Sequence, residues 1–348
     1  MTRCPKKNVL INTINFIGSR NHLINFTTDK KILQKMTHSL SIVWNPSEGI
    51  DLGFFMVRYY SLMFVVAFGL GWFITKKIFE REGESLEKLD KLFIYTLIAT
   101  LIGARLGHVF FYDWDYFKNH PAEILLPFRF SPEFEFTGFA GLASHGAALA
   151  VILTMVYYSR KIIHRPLLWV LDRIVLSIAS GGVFVRLGNF FNSEIIGRET
   201  SQDLATSVKF IRGEDNLGKR EAIARTGAKT YNEAYQLIEK DPRFTDILNA
   251  IPYRHPAQLY EAAGYVIVFI VLYYMYWKTE ARKKHGLLFG VFLILLWSVR
   301  FIVEFVKESQ GGFEGENPVL LTGQWLSIPF ILVGFYLVFT AKNKTETL

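Results

Sequence analysis

The sequence predicts an all-α protein: a polytopic membrane bundle of seven transmembrane helices carrying a small extracytoplasmic insertion. Three observations carry that prediction. Apolar residues are gathered into seven blocks with few charges, Lys and Arg accumulate in the loops of one face, and the ionisable groups inside the blocks lie toward the other face. The overall apolar fraction of 51% is not among them, because a soluble domain of this length is also near half apolar.

Residues 1–51 read as a polar N-terminal extension. Asn, Ser, Arg and His interrupt the stretch from Val9 to Phe26, so it lacks the continuous apolar run of a signal peptide, and Met36 stands directly after this mixed segment as an alternative start. Cys4 is the sole cysteine, which excludes an internal disulfide framework and a cysteine metal site.

The seven blocks span about 52–75, 92–112, 140–158, 167–191, 258–277, 286–306 and 322–340. Each approaches the ~20 residues that cross ~30 Å of hydrocarbon at 1.5 Å per residue. Gly and polar residues dilute the third and fourth, a dilution membrane helices tolerate where neighbours pack closely. Residues 192–257 form the long extracytoplasmic segment. It is charged from 201 to 254, and its apolar residues recur at helical spacing from Thr230 to Leu248, which reads as a small helical subdomain. Residues 341–348 are a cytoplasmic tail.

Basic residues set the orientation, since Lys and Arg collect on the cytoplasmic side of short loops. The loops after blocks one, three and five and the C-terminal tail carry fourteen of them, among them Lys76, Lys77, Arg81, Arg160, Lys161, Arg165, Arg282 and Lys283. The short loops of the opposite face carry three, Lys118, Arg129 and Lys307. The N-terminus is therefore expected outside and the C-terminus inside. The net charge of +8 follows from this distribution and is no footprint for nucleic acid.

Ionisable groups within a membrane span are costly and face a cavity or one another. Arg58 and Tyr60 lie near the outer end of block one, Arg105 two turns below that of block two, and His145 early in block three. Arg186 and Asn189 close block four, with Asn192 and Glu194 just beyond. Gln258, Tyr260 and Glu261 open block five behind His255-Pro256, and Arg300 and Glu304 share a face of block six at i, i+4 spacing. Each residue has a plainer reading: Arg58 as an interface anchor, Glu304 as a prop for Arg300, Asn189 and Gln258 as interhelical bonding partners, His145 as a core histidine. Their shared depth favours one polar cavity opening at the outer leaflet, while the inner halves of the blocks hold almost nothing charged.

Several arginines in a partly desolvated cavity call for an anion, and a guanidinium matches phosphate through two parallel hydrogen bonds, so a phospholipid head group suits it. No phosphate-binding Gly loop, no metal-ligand spacing and no Gly-x-Ser-x-Gly element is present, so neither a metal nor another cofactor is expected, and an acyl-enzyme serine or rhomboid-type protease is disfavoured. A transporter or flippase for a lipid-like anion is the rival reading, although the two halves of the chain show no self-similarity. A membrane scaffold fits the intramembrane arginines poorly.

Residues 185–200, Val-Arg-Leu-Gly-Asn-Phe-Phe-Asn-Ser-Glu-Ile-Ile-Gly-Arg-Glu-Thr, contain the pattern Arg-x-Gly-Asn-Phe-x-Asn-x-Glu-x-x-Gly. This resembles the signature of prolipoprotein diacylglyceryl transferases. Arg58 to Met63, Gly103 to Tyr112, Ser144-His145-Gly146, His255 to Glu261, Arg300 to Phe305 and Leu321 to Gln324 resemble further segments of that family in the same order. The resemblance covers roughly 45 to 340. It implies a bacterial inner-membrane enzyme, read as a monomer, whose partners are phosphatidylglycerol, prolipoprotein signal peptides and membrane lipids. It further implies His145, Arg186 and Arg300 as catalytic residues, the first as general base for the thiol and the arginines as phosphate ligands. Arg105 and Tyr60 join the two arginines in holding phosphatidylglycerol, and Asn189, Asn192, Glu194, Gly197, Gln258, Tyr260, Glu261 and Glu304 organise the site.

Three departures stand out. Leu296 beside Trp297 occupies the place where the family often has a Tyr one turn before the arginine, so a catalytic role for that Tyr does not carry over. Ala147 replaces the second Gly of the His-Gly-Gly element, and the segment 201–254 is longer and more charged than the resemblance implies.

Overall fold

The computed structural model describes residues 42–53, 56–126, 128–129, 134–136, 141, 143–213, 216–308 and 319–341. Cys4 and Met36 lie outside these. The chain enters through strand β1 (Ile42–Trp44) and a hairpin of β2 (Gly49–Asp51) and β3 (Met56–Arg58). Among the described residues, seven helices are long and apolar enough to cross a membrane, and the fold is an all-α polytopic bundle. The spans begin with α1 (Tyr59–Glu82) and α2 (Leu86–Phe111); after the short α3 (Trp114–Phe117) and a ribbon of β4 (Phe128–Arg129) with β5 (Glu135–Phe136) come α4 (Ser144–Tyr158) and α5 (Leu167–Phe191). Strand β6 (Val208–Phe210) and helices α6 (Lys219–Thr226), α7 (Tyr231–Lys240) and α8 (Thr245–Ala250) precede the spans α9 (Ala257–Lys278), α10 (Leu287–Val303) and α11 (Thr322–Thr340).

The first block differs most from the sequence reading. Helix α1 starts seven residues after position 52, because the paired strands β2 and β3 come before it, and it runs on to Glu82. Residues 76–82 prolong it as a charged turn ending at Gly83, whose left-handed backbone (φ 73°) lets its N–H bond Phe79 O. Ser85 then caps α2 by accepting from Lys88 N at 3.4 Å.

Helix α5 is the hub, packed against α1, α4, α9 and α10. Its most apolar stretch is 44% buried, against 17% to 33% for the other spans. Small residues let the outer pairs close. A methyl added to Gly146 on α4 would meet Gly107 Cα of α2 at 2.6 Å, and one on Gly290 of α10 would meet Gly334 O of α11 at 2.9 Å.

The bundle end opposite Arg186 holds more charge than the sequence reading allows. Asp172 is fully buried in α5 and accepts from Gly286 N at 2.6 Å and Phe289 N at 2.8 Å, capping α10 from another helix. Arg173 reaches Glu82 Oε1 at 3.1 Å and Arg282 O at 3.2 Å, stacks over Trp169, and shares Glu82 with the Tyr276 hydroxyl at 2.8 Å. Two adjacent charges near a helix start look interfacial in sequence; α9 and α10 closing over them make them internal.

Between α5 and α9, β6 pairs in parallel with β1, Ile42 opposite Val208. Helices α6 to α8 enclose a small core of Ile211, Leu217, Ala222, Ala234, Tyr235, Ile238 and Ile251. The run from Thr230 to Leu248 is two helices rather than one, because Asp241-Pro242 ends α7. Arg212 donates to Asn45 Oδ1 at 2.6 Å and Asn232 Oδ1 at 2.7 Å, and Trp44 Nε1 to Phe190 O at 2.9 Å, fastening this unit to the end of α5.

Replacing Asp172 with Ala leaves two buried N–H groups of α10 unpaired. The expected loss is about 2–4 kcal/mol, with Asp172→Asn milder, checked by thermal unfolding in detergent.

Candidate functional site

The insertion end of the bundle brings together the C-termini of α5 and α10 and the N-termini of α1, α9 and α11. At its centre the Arg186 guanidinium pairs through Nε with the Glu261 carboxylate of α9. Its Nη1 donates to Asn189 Oδ1 at 2.9 Å, one turn on, and Asn189 Nδ2 donates to Glu194 Oε1 at 2.6 Å. Gln258 Nε2 donates to Glu194 O at 2.7 Å, tying the turn after α5 to α9. Tyr60 packs its ring on Gly188, beside Asn189.

The turn after α5 is strained. Ser193 (φ 54°) and Ile195 (φ 58°) both adopt left-handed backbone, and for the β-branched Ile195 that costs on the order of 1–3 kcal/mol. Gly197 follows where two backbones close in. Its N–H bonds His255 O at 2.9 Å, and a Cβ there would stand 2.5 Å from His255 O and 2.7 Å from Val306 O. Only glycine fits. The segment then bonds the residues after α10, Arg198 N to Val306 O at 2.8 Å and Glu308 N to Ile196 O at 3.2 Å.

That contact delivers Lys307, which sequence reasoning counted only as a loop cation. Its Nζ sits 3.9 Å from both Glu261 and Glu304. Lys307 follows Glu304 by three residues and Arg300 by seven, so helical spacing would have found it. Tyr265 was also missed; it lies one turn beyond Glu261, beside Arg186 and Arg300. Glu304 is seated against Gly323 of α11, where any added methyl would collide with its carboxylate.

Arg300 is different from its neighbours. It forms no hydrogen bond or ion pair with any described residue, its Nε is fully buried, and its contact is the Trp297 ring at 5.3 Å. Trp297 is itself held by stacking on Phe330 of α11, centroids 4.2 Å apart.

Three expected members stand apart. Arg105 is buried, but it donates to Ile124 O and Glu123 O, each at 2.7 Å, and lies over the Phe117 ring, so it braces α2 against the 121–124 turn. The Tyr260 hydroxyl meets Thr206 Oγ1 at 2.6 Å and His255 Nδ1 at 3.3 Å, outside the Arg186 network. His145 opens α4 as an exposed side chain with no bond to a described residue. Asn192 ends α5, its N–H on Gly188 O at 3.0 Å.

Beneath Arg186 and Tyr265 lies an apolar cavity of about 440 Å³ between α1, α2, α4, α5 and α9. It follows α1 from Phe64 to Thr75, which is roughly 16 Å at the helical rise. The hydroxyls lining it are turned back to the backbone: Thr75 and Ser177 bond Gly71 O at 2.9 Å, and Thr96 bonds Leu92 O at 2.7 Å. An arginine at one end of an apolar tube suits an amphiphile with an anionic head.

Residues 48–340 match the family model of prolipoprotein diacylglyceryl transferase. The chain belongs to the prolipoprotein diacylglyceryl transferase family. Among its relatives, the phosphatidylglycerol–prolipoprotein diacylglyceryl transferase of Chloroherpeton thalassium is 35% identical over 89% of this chain and 98% of its own. Those of Tolumonas auensis and Bacteroides fragilis are each 36% identical over 88% of this chain, covering 100% and 97% of their own. In this member of the prolipoprotein diacylglyceryl transferase family, Lys307 and Glu304 complete the charge balance around Glu261, leaving Arg300 without a partner among the described residues.

Two outcomes follow from this geometry. Gly323→Ala displaces the Glu304 carboxylate and is expected to lower transfer roughly tenfold to a hundredfold with little change in unfolding temperature, measured on the same purified sample. Burial holds the Lys307 ammonium below the ordinary lysine range, against the pull of Glu261 and Glu304. The folded protein thus releases this proton at lower pH than the unfolded chain. Activity is expected to fall on the alkaline side, below the ordinary lysine pKa of ~10.4, as the two glutamates lose their counter-charge. Across that window the unfolded state binds more protons, so Lys307 makes stability rise with pH, and the loss is separable from unfolding. A kcat/KM profile should show the alkaline limb moved to higher pH in Lys307→Arg.

Proposed function

We infer that this chain transfers the diacylglyceryl group of phosphatidylglycerol to the lipobox cysteine of a prolipoprotein, the first step of lipoprotein maturation. The observation that carries this reading is the Arg300 guanidinium, unpartnered among the described residues and beside Tyr265, which together with Arg186 lines the apolar cavity. The relatives' names supply the two substrates. Acyl chains occupy the cavity, and the phosphodiester meets the guanidinium.

The substrate thiolate attacks the glyceryl carbon that carries the phosphate. A carbon–sulfur bond forms, the carbon–oxygen bond breaks, and its electron pair leaves with glycerol phosphate. No enzyme nucleophile is needed. Arg300 neutralises charge growing on the departing phosphate, which matters most where water is excluded. Arg186 is the second phosphate ligand, held in register by Glu261 and Asn189. His145 is the candidate base for the thiol, imidazole being the side chain best suited to exchange a proton near neutral pH. Tyr60, Glu194, Gln258, Glu261, Glu304 and Gly197 shape the site, while Arg105 and Tyr260 support it from outside.

The enzyme works in a bacterial cell membrane with its N-terminus and insertion outside and its C-terminus in the cytoplasm. Lys77, Arg81, Lys88, Arg160, Lys161, Arg165 and Lys283 all lie at the end opposite the site, in keeping with cytoplasmic loops.

The test is a mass assay of purified protein in detergent with phosphatidylglycerol and a lipobox peptide, phosphatidylethanolamine serving as control lipid. The expected result is a diacylglyceryl mass gain on the peptide cysteine with phosphatidylglycerol alone. Arg300→Ala should lose about a hundredfold or more in kcat/KM while staying folded, and near-normal activity would remove the phosphate from this side chain. Arg186→Ala should lose activity and also about 3–5 kcal/mol of stability, because Glu261 is left buried and less well paired. For His145→Asn, activity lost near pH 7 should partly return as pH approaches the thiol pKa of ~8.5; an unchanged pH profile would leave His145 a merely orienting role.

A further inference from the structure

A second polar cavity lies at the opposite end of the bundle, where α4 turns into α5. Helix α4 runs on as a single π-helical turn, Ser159–Ile163, and the chain reverses through His164 in left-handed backbone (φ 55°) before Pro166 starts α5. The wider π turn and the reversal hold open a cavity of about 530 Å³ lined by Val156, Ser159, Arg160, His164, Arg165, Pro166 and Leu167.

No carboxylate lines it. Arg165 is preoriented: its Nε donates to the buried Glu84 carboxylate at 2.9 Å, and its guanidinium lies against Trp169. The terminal nitrogens of Arg165 bond no described residue, and the exposed Arg160 and His164 have no partner among the described residues. Ser159 Oγ is committed to Arg165 O at 2.6 Å, which fixes the loop. Two guanidinium groups and an imidazole therefore face one cavity without an internal anion. Guanidinium forks in this setting match phosphate oxygens.

The surface above the cavity is continuous with it and apolar. Leu149, Ile152 and Leu153 of α4 are each about 60% exposed, and with Val156 they follow i, i+3, i+4, i+7 spacing toward the middle of the bundle. A head group seated between Arg160 and Arg165 would have its acyl chains along this stripe. Basic pockets beside membrane helices hold anionic lipid head groups in this way.

We propose that the α4–α5 turn is a binding site for the phosphate of an anionic phospholipid in the leaflet at this end, separate from the site at Arg186. Phosphate chemistry is shared by a lipid head group and a free ion, and the α4 stripe assigns it to the lipid.

Native mass spectrometry of the full-length protein in detergent tests this with three probes: phosphatidylglycerol, phosphatidylcholine and inorganic phosphate. The comparison is between wild type and the double variant Arg160→Gln, His164→Asn; Asn tolerates the left-handed backbone at 164. Wild type should retain one more phosphatidylglycerol than the double variant, and the apparent affinity of that lipid should fall about tenfold or more. Arg300→Gln should keep this lipid, and the double variant should keep transfer activity. Equal phosphatidylglycerol adducts in wild type and double variant would overturn the proposal. So would equal retention of phosphatidylcholine, or an inorganic phosphate adduct lost in the double variant without a lipid effect. Because Arg165 anchors Glu84, Arg165→Lys is the second variant: weaker lipid retention at unchanged unfolding temperature supports the site, and unchanged retention speaks against it.

Discussion

A carboxylate buried inside a hydrocarbon slab needs a cation beside it, and the Arg186 guanidinium answers that constraint for Glu261. The two residues come from helices that meet only if α5 and α9 pack along their ends. Further groups gather around them from other elements: Asn189 accepts from Arg186 and donates to Glu194 in the turn after α5, and Lys307 Nζ from beyond α10 lies 3.9 Å from both Glu261 and Glu304. The local charges are then nearly self-compensating. Beside them Arg300 is held by Trp297 and not by a carboxylate of any described residue. This separation distinguishes two arginines that look alike in sequence: Arg186 is paired and lines the cavity, while Arg300 has no partner among the described residues.

The rest of the bundle keeps that arrangement open. At the far end, Asp172, Arg173 and Glu82 lock α1, α5, α9 and α10 together with hydrogen bonds to backbone as well as to one another. Between these two polar layers, α5 and α9 are tied to each other at one end and through Glu82 of α1 at the other, which keeps that side of the cavity in place. The hydroxyls of Thr75, Ser177 and Thr96 satisfy themselves on their own or neighbouring backbone, so the space remains apolar. Small residues on α2 and α4 let the outer wall close tightly where no cavity is wanted.

Much of this was legible before any coordinates. The seven spans follow from length and apolarity, and the convergence of Arg186, Asn189, Glu194, Glu261, Arg300 and Glu304 follows from their common depth. Depth alone could not give azimuth. Arg105 shares the depth of the others but faces the 121–124 turn, and Tyr260 faces Thr206, because a helix distributes neighbouring residues around its circumference. Lys307 sits past the last apolar residue, where a basic side chain ordinarily marks an interface; only the bond between the 195–198 turn and the 306–308 segment carries it inward. The hairpin before α1 was hidden for a related reason, since its residues are apolar enough to read as the start of a span.

The pairing of β1 with β6 has a bearing on how the molecule is made. The two strands are separated by four crossings, an even number, so they meet on the same side of the bilayer. During synthesis the first strand is delivered long before its partner, which is more than 160 residues later. Trp44 waits nearly as long for Phe190, which supplies both its ring neighbour and its acceptor 146 residues on. Pairing with the 208–210 segment fastens the residues just before α1 to those after α5, so the seating of these two helices draws on a segment that contributes no side chain to the Arg186 network.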